Sequence, residues 1–154
     1  MTDVGIEQLV NLGDELANIR ALLVGATDTS KKAVRKLAKL NGIRWLLLNG
    51  VEIPEDGWFD QFSQLKALLV WDEQQGANPL SITVRWTQEN QDAIAKLSQL
   101  RQLQLTGLDM RDIDISGLGQ LPELQYLDAR CHNIDADALQ AIQEHLVPRL
   151  EAAQ

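Results

Sequence analysis

The sequence has few residues with which to build a catalytic or metal centre. Its 154 residues include one cysteine, Cys131, and two histidines, His132 and His145. A zinc site needs three or four thiolate or imidazole ligands, and the chain has three candidates in total, of which Cys131 and His132 would point to opposite faces of a strand. No set of nucleophile, base and orienting group can be assembled from these residues. We therefore predict a protein that is not an enzyme and that uses neither a metal nor a cofactor.

Long apolar runs are also missing. No stretch approaches the roughly 18 apolar residues that a membrane span requires, and the first residues lack the basic and apolar regions of a secretory signal. The single cysteine cannot form an internal disulfide. These absences predict a cytoplasmic protein without a membrane partner.

Basic residues are scarce, with 14 Lys+Arg against 22 Asp+Glu and a formal net charge of −8. Sequence-independent nucleic-acid binding depends on neutralised phosphates, so no nucleic-acid partner is expected. Within a helix predicted over about residues 30–40, the outward side is basic. This side is a candidate electrostatic docking face for an acidic partner, although outward charge is normal on an amphipathic helix. It comprises Lys32, Arg35, Lys36 and Lys39.

The abundant feature is a regular spacing of leucine and similar residues. One set of four recurs 24 residues later: Leu97, Leu100, Leu103 and Leu105 become Leu121, Leu124, Leu127 and Ala129. The steps of three, three and two residues suit a helix end that bends into a strand. Three earlier copies give starts separated by 24, 22, 35 and 24 residues, namely Leu16, Leu40, Phe62, Leu97 and Leu121. Such self-similarity is typical of a solenoid.

With this pattern the chain resembles the leucine-rich repeat family over roughly residues 16–134. The resemblance implies an α/β solenoid whose parallel strands line a concave sheet, with helices outside. It also implies a protein–protein interaction module such as an adaptor, a regulatory subunit or an inhibitor. We predict a single domain, 1–154, with a capping helix at 1–18, five to six irregular repeats over 19–134 and a second capping helix at 135–147 that Pro148 ends or kinks.

Two segments between the repeat starts need separate interpretation. Residues 80–86 alternate apolar and polar side chains, which indicates either the strand of a degenerate repeat or a hairpin partner for a strand at 66–71. The helix predicted before the strand at 66–71 carries aromatic side chains at helical spacing. They are expected in the core because of the area that each buries. They are Trp58, Phe59 and Phe62.

The candidate binding site is the predicted concave face, where side chains alternate with the inward leucines. Its first three strands would expose apolar side chains and its last two polar ones. An exposed apolar strip indicates a partner-binding surface, a second copy in a homodimer, or cover by the N-terminal helix or the 72–79 loop. A register error of one residue would exchange the two faces. The candidates are Leu23, Trp45, Leu47, Asn49, Leu69, Trp71, Gln102, Gln104, Tyr126, Asp128 and Arg130.

A phosphate-binding loop is the less favoured alternative. Residues 25–32 join a predicted strand to a helix and contain Gly25, Ser30, Lys31 and Lys32. The pattern G-x-x-x-x-G-K-[ST] is not met, because Ser30 stands at the second glycine and Lys32 at the hydroxyl residue. Capping of the helix by a residue such as Ser30 is the simpler explanation.

Overall fold

Five short parallel strands, hydrogen-bonded in chain order, form the sheet of the molecule. The computed structural model describes residues 2–13, 18–25, 29–72 and 86–152, and for 147–152 the backbone alone. The sheet order is β1-β2-β3-β4-β5. The strands are β1 (Ala21–Gly25), β2 (Trp45–Asn49), β3 (Ala67–Trp71), β4 (Gln102–Asp109) and β5 (Tyr126–His132).

The strand register follows the leucine pattern of the sequence. One row across the sheet pairs Leu22, Leu46, Leu68, Leu103 and Leu127, and the row two residues later pairs Val24, Leu48, Val70, Leu105 and Ala129. The middle members of both rows are buried. The predicted α/β architecture and its register are therefore confirmed, and the alternative that exchanges the two faces is excluded.

Short helices connect successive strands on the buried side of the sheet. They are α2 (Lys31–Lys36), which continues as a 3-10 turn at Leu37–Lys39, the 3-10 turn Trp58–Gln61, α3 (Gln88–Ile94) and the 3-10 turn Ser116–Gln120. Ser30 caps α2 by accepting the Ala33 N–H at 3.3 Å, and Thr87 caps α3 by accepting the Asn90 N–H at 3.2 Å. Both caps satisfy backbone donors that the helix itself leaves unpaired.

Four aromatic side chains fill the core beneath the middle of the sheet. Trp58 meets Phe62 edge-on with ring centroids 4.8 Å apart, and Phe59 lies 5.6 Å from the ring of Trp86. All four are at most 4% exposed. The expectation that Trp58, Phe59 and Phe62 belong to the core agrees with these contacts.

The long segment that connects β3 to β4 differs from its prediction. Residues 73–85 lie outside the described part of the chain, so the predicted strand at 80–86 can be followed only at Trp86. That residue is not in a strand; its indole is buried, and its backbone N–H donates to the Asp109 carbonyl at 2.9 Å. The acceptor is available because β4 extends to Asp109, four residues beyond the predicted end at Leu105.

The terminal helices also differ from their predicted limits. Helix α1 spans Asp3–Asn11 and packs through Ile6, whereas Leu12, directly after the helix, is 45% exposed. The predicted extension of α1 to residue 18 passes through 14–17, which lie outside the described residues. Helix α4 spans Ala136–Ala152, so its predicted end at 147 is wrong. Pro148 lies within α4, so it does not end the helix.

A carboxylate joins α1 to the start of α2. The Asp3 carboxylate accepts hydrogen bonds from the Ser30 N–H and from the Ser30 hydroxyl, each at 2.7 Å. These bonds favour the ionised form, first through the backbone N–H and then through the hydroxyl, and they lower the pKa of Asp3 below its usual value of 3.8.

We expect stability to depend on pH through this contact. The folded-state pKa of Asp3 is depressed. The stability that its carboxylate contributes is therefore present above the unfolded-state pKa and is lost as pH falls through the folded-state pKa. Thermal melts between pH 6 and pH 2 should show a shallower decline for Asp3→Asn than for the wild type. Asp60→Asn, which removes an exposed carboxylate, is the control for the loss of one charge. A decline for Asp3→Asn no shallower than that for Asp60→Asn would contradict the assignment.

Candidate functional site

The open face of the sheet, which is the predicted concave face, carries the side chains that alternate with the buried leucines. Leu23 is 64% exposed and Trp45 is 59% exposed, although each belongs to a residue type that is usually withdrawn from water. Their exposure also shows that α1 does not cover them. Leu47 and Leu69, at the same level of the neighbouring strands, are half-buried.

A groove of about 780 Å³ lies on this face over the first halves of β1 to β4. Its apolar side chains come from the first three strands. Two cations, Lys66 and Arg101, lie beside them, each directly before its strand. We call this cavity the open-face groove, and it is lined chiefly by Leu23, Trp45, Leu47, Leu69, Lys66 and Arg101.

The second half of the open face has a different character. Asn49, Trp71 and Thr106 occupy equivalent positions on β2, β3 and β4. The Asn49 Oδ1, Trp71 Nε1 and Thr106 Oγ1 atoms are withdrawn from solvent, and within the part of the chain that the structure describes none of them has a hydrogen-bond partner. Trp71 is therefore less accessible than Trp45, although the sequence pattern treats the two alike.

The last strands present the remaining candidates. Gln102 is exposed and borders the open-face groove, while Gln104 is half-buried. On β5, Tyr126 is 49% exposed, and the Arg130 Nε donates to the Asp128 carboxylate at 3.2 Å. The structure thus gathers four apolar candidates, Leu23, Trp45, Leu47 and Leu69, in the groove and leaves Trp71 and the candidates of β5 outside it.

Sequence reasoning missed Lys66 and Arg101 as site residues. It considered the side chains within each strand, whereas these two residues precede their strands. A signal was available, since a basic residue occurs directly before the strand in the first four repeats, at Arg20, Arg44, Lys66 and Arg101.

The predicted electrostatic docking face on α2 is partly neutralised by its own chain. Lys31 pairs with Glu55, Arg35 with Asp56 and Lys36 with Glu7. The hydrogen bond and charge of Lys36 lower the pKa of Glu7, and those of Lys31 lower the pKa of Glu55. Lys32 and Lys39 remain exposed. Because its members differ in this way, the set does not act as one uniform basic surface.

The residues of the candidate phosphate loop have other contacts. The Ser30 N–H, which a bound phosphate would need, donates to Asp3, and Lys31 pairs with Glu55. Gly25 ends β1, and residues 26–28 lie outside the described part. A carboxylate of the chain itself thus occupies the helix start at which an anion is stabilised.

Cys131 packs against the hydrophobic core. The Cys131 thiol donates to the Leu105 carbonyl at 3.3 Å, and burial raises the pKa of Cys131 to about 12. A thiol with this pKa stays protonated at neutral pH and is a poor nucleophile. Among the described residues, no group of three or more His, Cys, Asp or Glu side chains is placed to hold a metal ion. No helix in that part of the chain is long and apolar enough to cross a membrane.

Comparison with solved structures identifies the fold. The chain superposes on the tropomodulin C-terminal domain of Caenorhabditis elegans with a TM-score of 0.65 and 11% identity, over 96% of this chain and 95% of that domain. The chain folds as a short leucine-rich repeat solenoid.

An internalin (inlF) of Listeria monocytogenes is also similar to this solenoid, at 18% identity over 88% of this chain and 48% of that one, with a TM-score of only 0.34. No model of a known protein family matches the chain, and no curated protein matches it. At these identities the likeness concerns the fold alone, so function must be argued from the open face itself.

Proposed function

We propose that this solenoid is a non-enzymatic interaction module that binds a protein partner through its open face. Leucine-rich repeat domains commonly mediate protein binding, and the role here would be that of an adaptor, a regulatory subunit or an inhibitor. The observation that carries the proposal is the exposure of Leu23 and Trp45 beside a groove of about 780 Å³.

The open-face groove has the composition of a binding hot spot. A tryptophan offers a large apolar surface together with an N–H donor, and hot spots are enriched in Trp, Tyr and Arg. Trp45 has leucines beside it on β1, β2 and β3, and Arg101 lies across the groove. Covering this apolar surface would contribute about 25 cal/mol for each Å² removed from water, which is the source of affinity that we assign to the groove.

We expect Trp45→Ala to weaken partner binding more than it weakens folding. The side chain is 59% exposed, so its loss should lower the free energy of unfolding by about 1–2 kcal/mol, less than the loss of a buried tryptophan. Loss of a hot-spot tryptophan should weaken binding by about 2 kcal/mol or more. The measurements are chemical denaturation and quantitative capture of partners from the native cell by immobilised protein.

Val4→Ala is the control for this prediction, because Val4 is 61% exposed on α1, away from the sheet. Proteins that bind at the groove should be retained by Val4→Ala and lost with Trp45→Ala. If both variants captured the same proteins as the wild type, the groove would not be the binding site. A large fall in stability for Trp45→Ala would instead assign the tryptophan a packing role.

A second copy of the chain is the alternative occupant of the same apolar surface. Light scattering at micromolar concentration separates the two proposals. A dimer that Trp45→Ala converts to monomer would support self-association, whereas a wild-type monomer leaves the groove open for another protein.

A further inference from the structure

Four cations line one edge of the open face. Arg20, Arg44, Lys66 and Arg101 each directly precede a strand. Backbone hydrogen bonds align them in order, from the Arg44 N–H to the Arg20 carbonyl at 2.8 Å, from Lys66 to Arg44 at 2.7 Å and from Arg101 to Lys66 at 2.8 Å. Neighbouring strands lie about 4.8 Å apart, so the row places like charges on successive strands. We call these four residues the basic row.

The basic row is unusual in an acidic chain. Three of the cations of α2 are paired with carboxylates. In the basic row, Arg101 pairs with Glu123 at 3.2 Å, and both side chains are about half exposed. Of the carboxylates in the described ranges, none lies within ion-pair distance of Arg44 or Lys66. Arg44 and Lys66 therefore keep positive charge that no carboxylate of the described residues neutralises by direct pairing.

The row and the groove form one continuous surface. Lys66 and Arg101 line the open-face groove together with Leu23, Trp45 and Leu69. A bound segment that filled the apolar part would bring its flanking residues beside these two cations. Because a cation attracts carboxylates and repels other cations, the row selects among apolar segments by their charge.

Resting on the binding function proposed above, we infer that the groove takes an apolar segment of a partner protein that carries carboxylates beside its apolar side chains. The apolar side chains cover Leu23 and Trp45, and the carboxylates pair with Lys66 and Arg101. The pairing provides specificity and a faster encounter more than it provides affinity, since exposed ion pairs contribute at most about 1 kcal/mol each.

The test uses a phage-displayed library of random 12-residue peptides, selected on the immobilised full chain. We expect the selected peptides to combine aromatic or aliphatic residues with Asp or Glu, and to bind about tenfold more weakly or worse to Lys66→Glu/Arg101→Glu. The double variant Lys32→Glu/Lys39→Glu is the matched control, since it makes the same change of charge at exposed positions of α2 and its turn. It should retain the wild-type affinity.

A second variant guards against misfolding. Arg101→Glu breaks the pair with Glu123, whereas Lys66→Gln breaks no ion pair among the described residues. Lys66→Gln should weaken peptide binding less than the double variant does. It should also make peptide binding less dependent on salt, because the pair that it removes, between Lys66 and a carboxylate of the peptide, is screened by salt.

The outcomes separate this inference from the proposed function. Peptides that require Trp45 but show no enrichment of acidic residues, and that bind equally to Lys66→Glu/Arg101→Glu, would overturn the charge preference and leave the groove as a binding site. Failure to select any peptide that depends on Trp45 would overturn both. Loss of binding in the Lys32→Glu/Lys39→Glu control would move the acidic contact to α2 and also overturn the inference.

Discussion

Trp86→Ala is expected to lower the free energy of unfolding by about 3–5 kcal/mol, the usual cost of truncating a buried aromatic side chain. Trp86 is 1% exposed and packs against Phe59. Its indole N–H also donates to the Gln91 Oε1 atom at 3.2 Å, and Gln91 is itself 1% exposed. The alanine would leave both a cavity and an amide oxygen without its donor, so the loss should lie toward the upper end of that range.

Two variants separate these contributions. Trp86→Phe keeps most of the aromatic packing but removes the donor, so we expect a loss of about 1–3 kcal/mol. Trp45→Ala removes the same side chain from an exposed position and should cost much less. Urea denaturation monitored by circular dichroism provides all three values. A cost for Trp86→Ala near that for Trp45→Ala would show that the indole is not part of the core.

The strand register was predictable because it depends on one local rule. Each coil carries apolar side chains at steps of three, three and two residues. They can all face the core only if equivalent positions of successive strands lie side by side. Leu46, Leu68 and Leu103 accordingly form adjacent positions of one row. A shift of one residue would expose all of them to water, so burial selects the observed register.

Features that depend on neighbouring coils were not predictable in this way. The pairing of Lys36 with Glu7 joins residues 29 positions apart, and no periodicity of the sequence indicates it. The basic surface of α2 was predicted from that helix alone, so its carboxylate partners on other segments were missed. The length of α2 was also overestimated, since it gives way at Leu37–Lys39 to a 3-10 turn.

The candidate site was predictable only as a face of the sheet. Alternation identified Leu23 and Trp45 as open-face residues, and both are exposed. It could not distinguish Trp45 from Trp71, because the exposure of each depends on what lies above its position of the sheet. It also overlooked Lys66, whose place in the groove follows from the backbone path before β3 and not from alternation within the strand.

Gly107→Ala is expected to destabilise the protein by about 2–3 kcal/mol through the contact of β4 with the end of β3. Gly107 has a φ of +81°, which costs other residues roughly 1–2 kcal/mol. An added Cβ would lie 2.5 Å from the Asp72 carbonyl oxygen, so backbone must move. That movement threatens the adjacent hydrogen bond from the Asp72 N–H to the Thr106 carbonyl, now 2.9 Å, at a further cost of about 1 kcal/mol.

Gly50→Ala is the matched control, because Gly50 also has a positive φ, +59°, but an added Cβ would meet nothing within 4 Å. It carries the conformational cost alone, so the difference between the two variants in urea denaturation measures the close approach at Asp72. Amide hydrogen exchange should locate that difference, with protection lost at Asp72 in Gly107→Ala and retained there in Gly50→Ala. Equal losses of stability in the two variants would show that β3 and β4 can separate at this point without cost. The close approach of Gly107 to Asp72 would then have no part in holding β3 and β4 together.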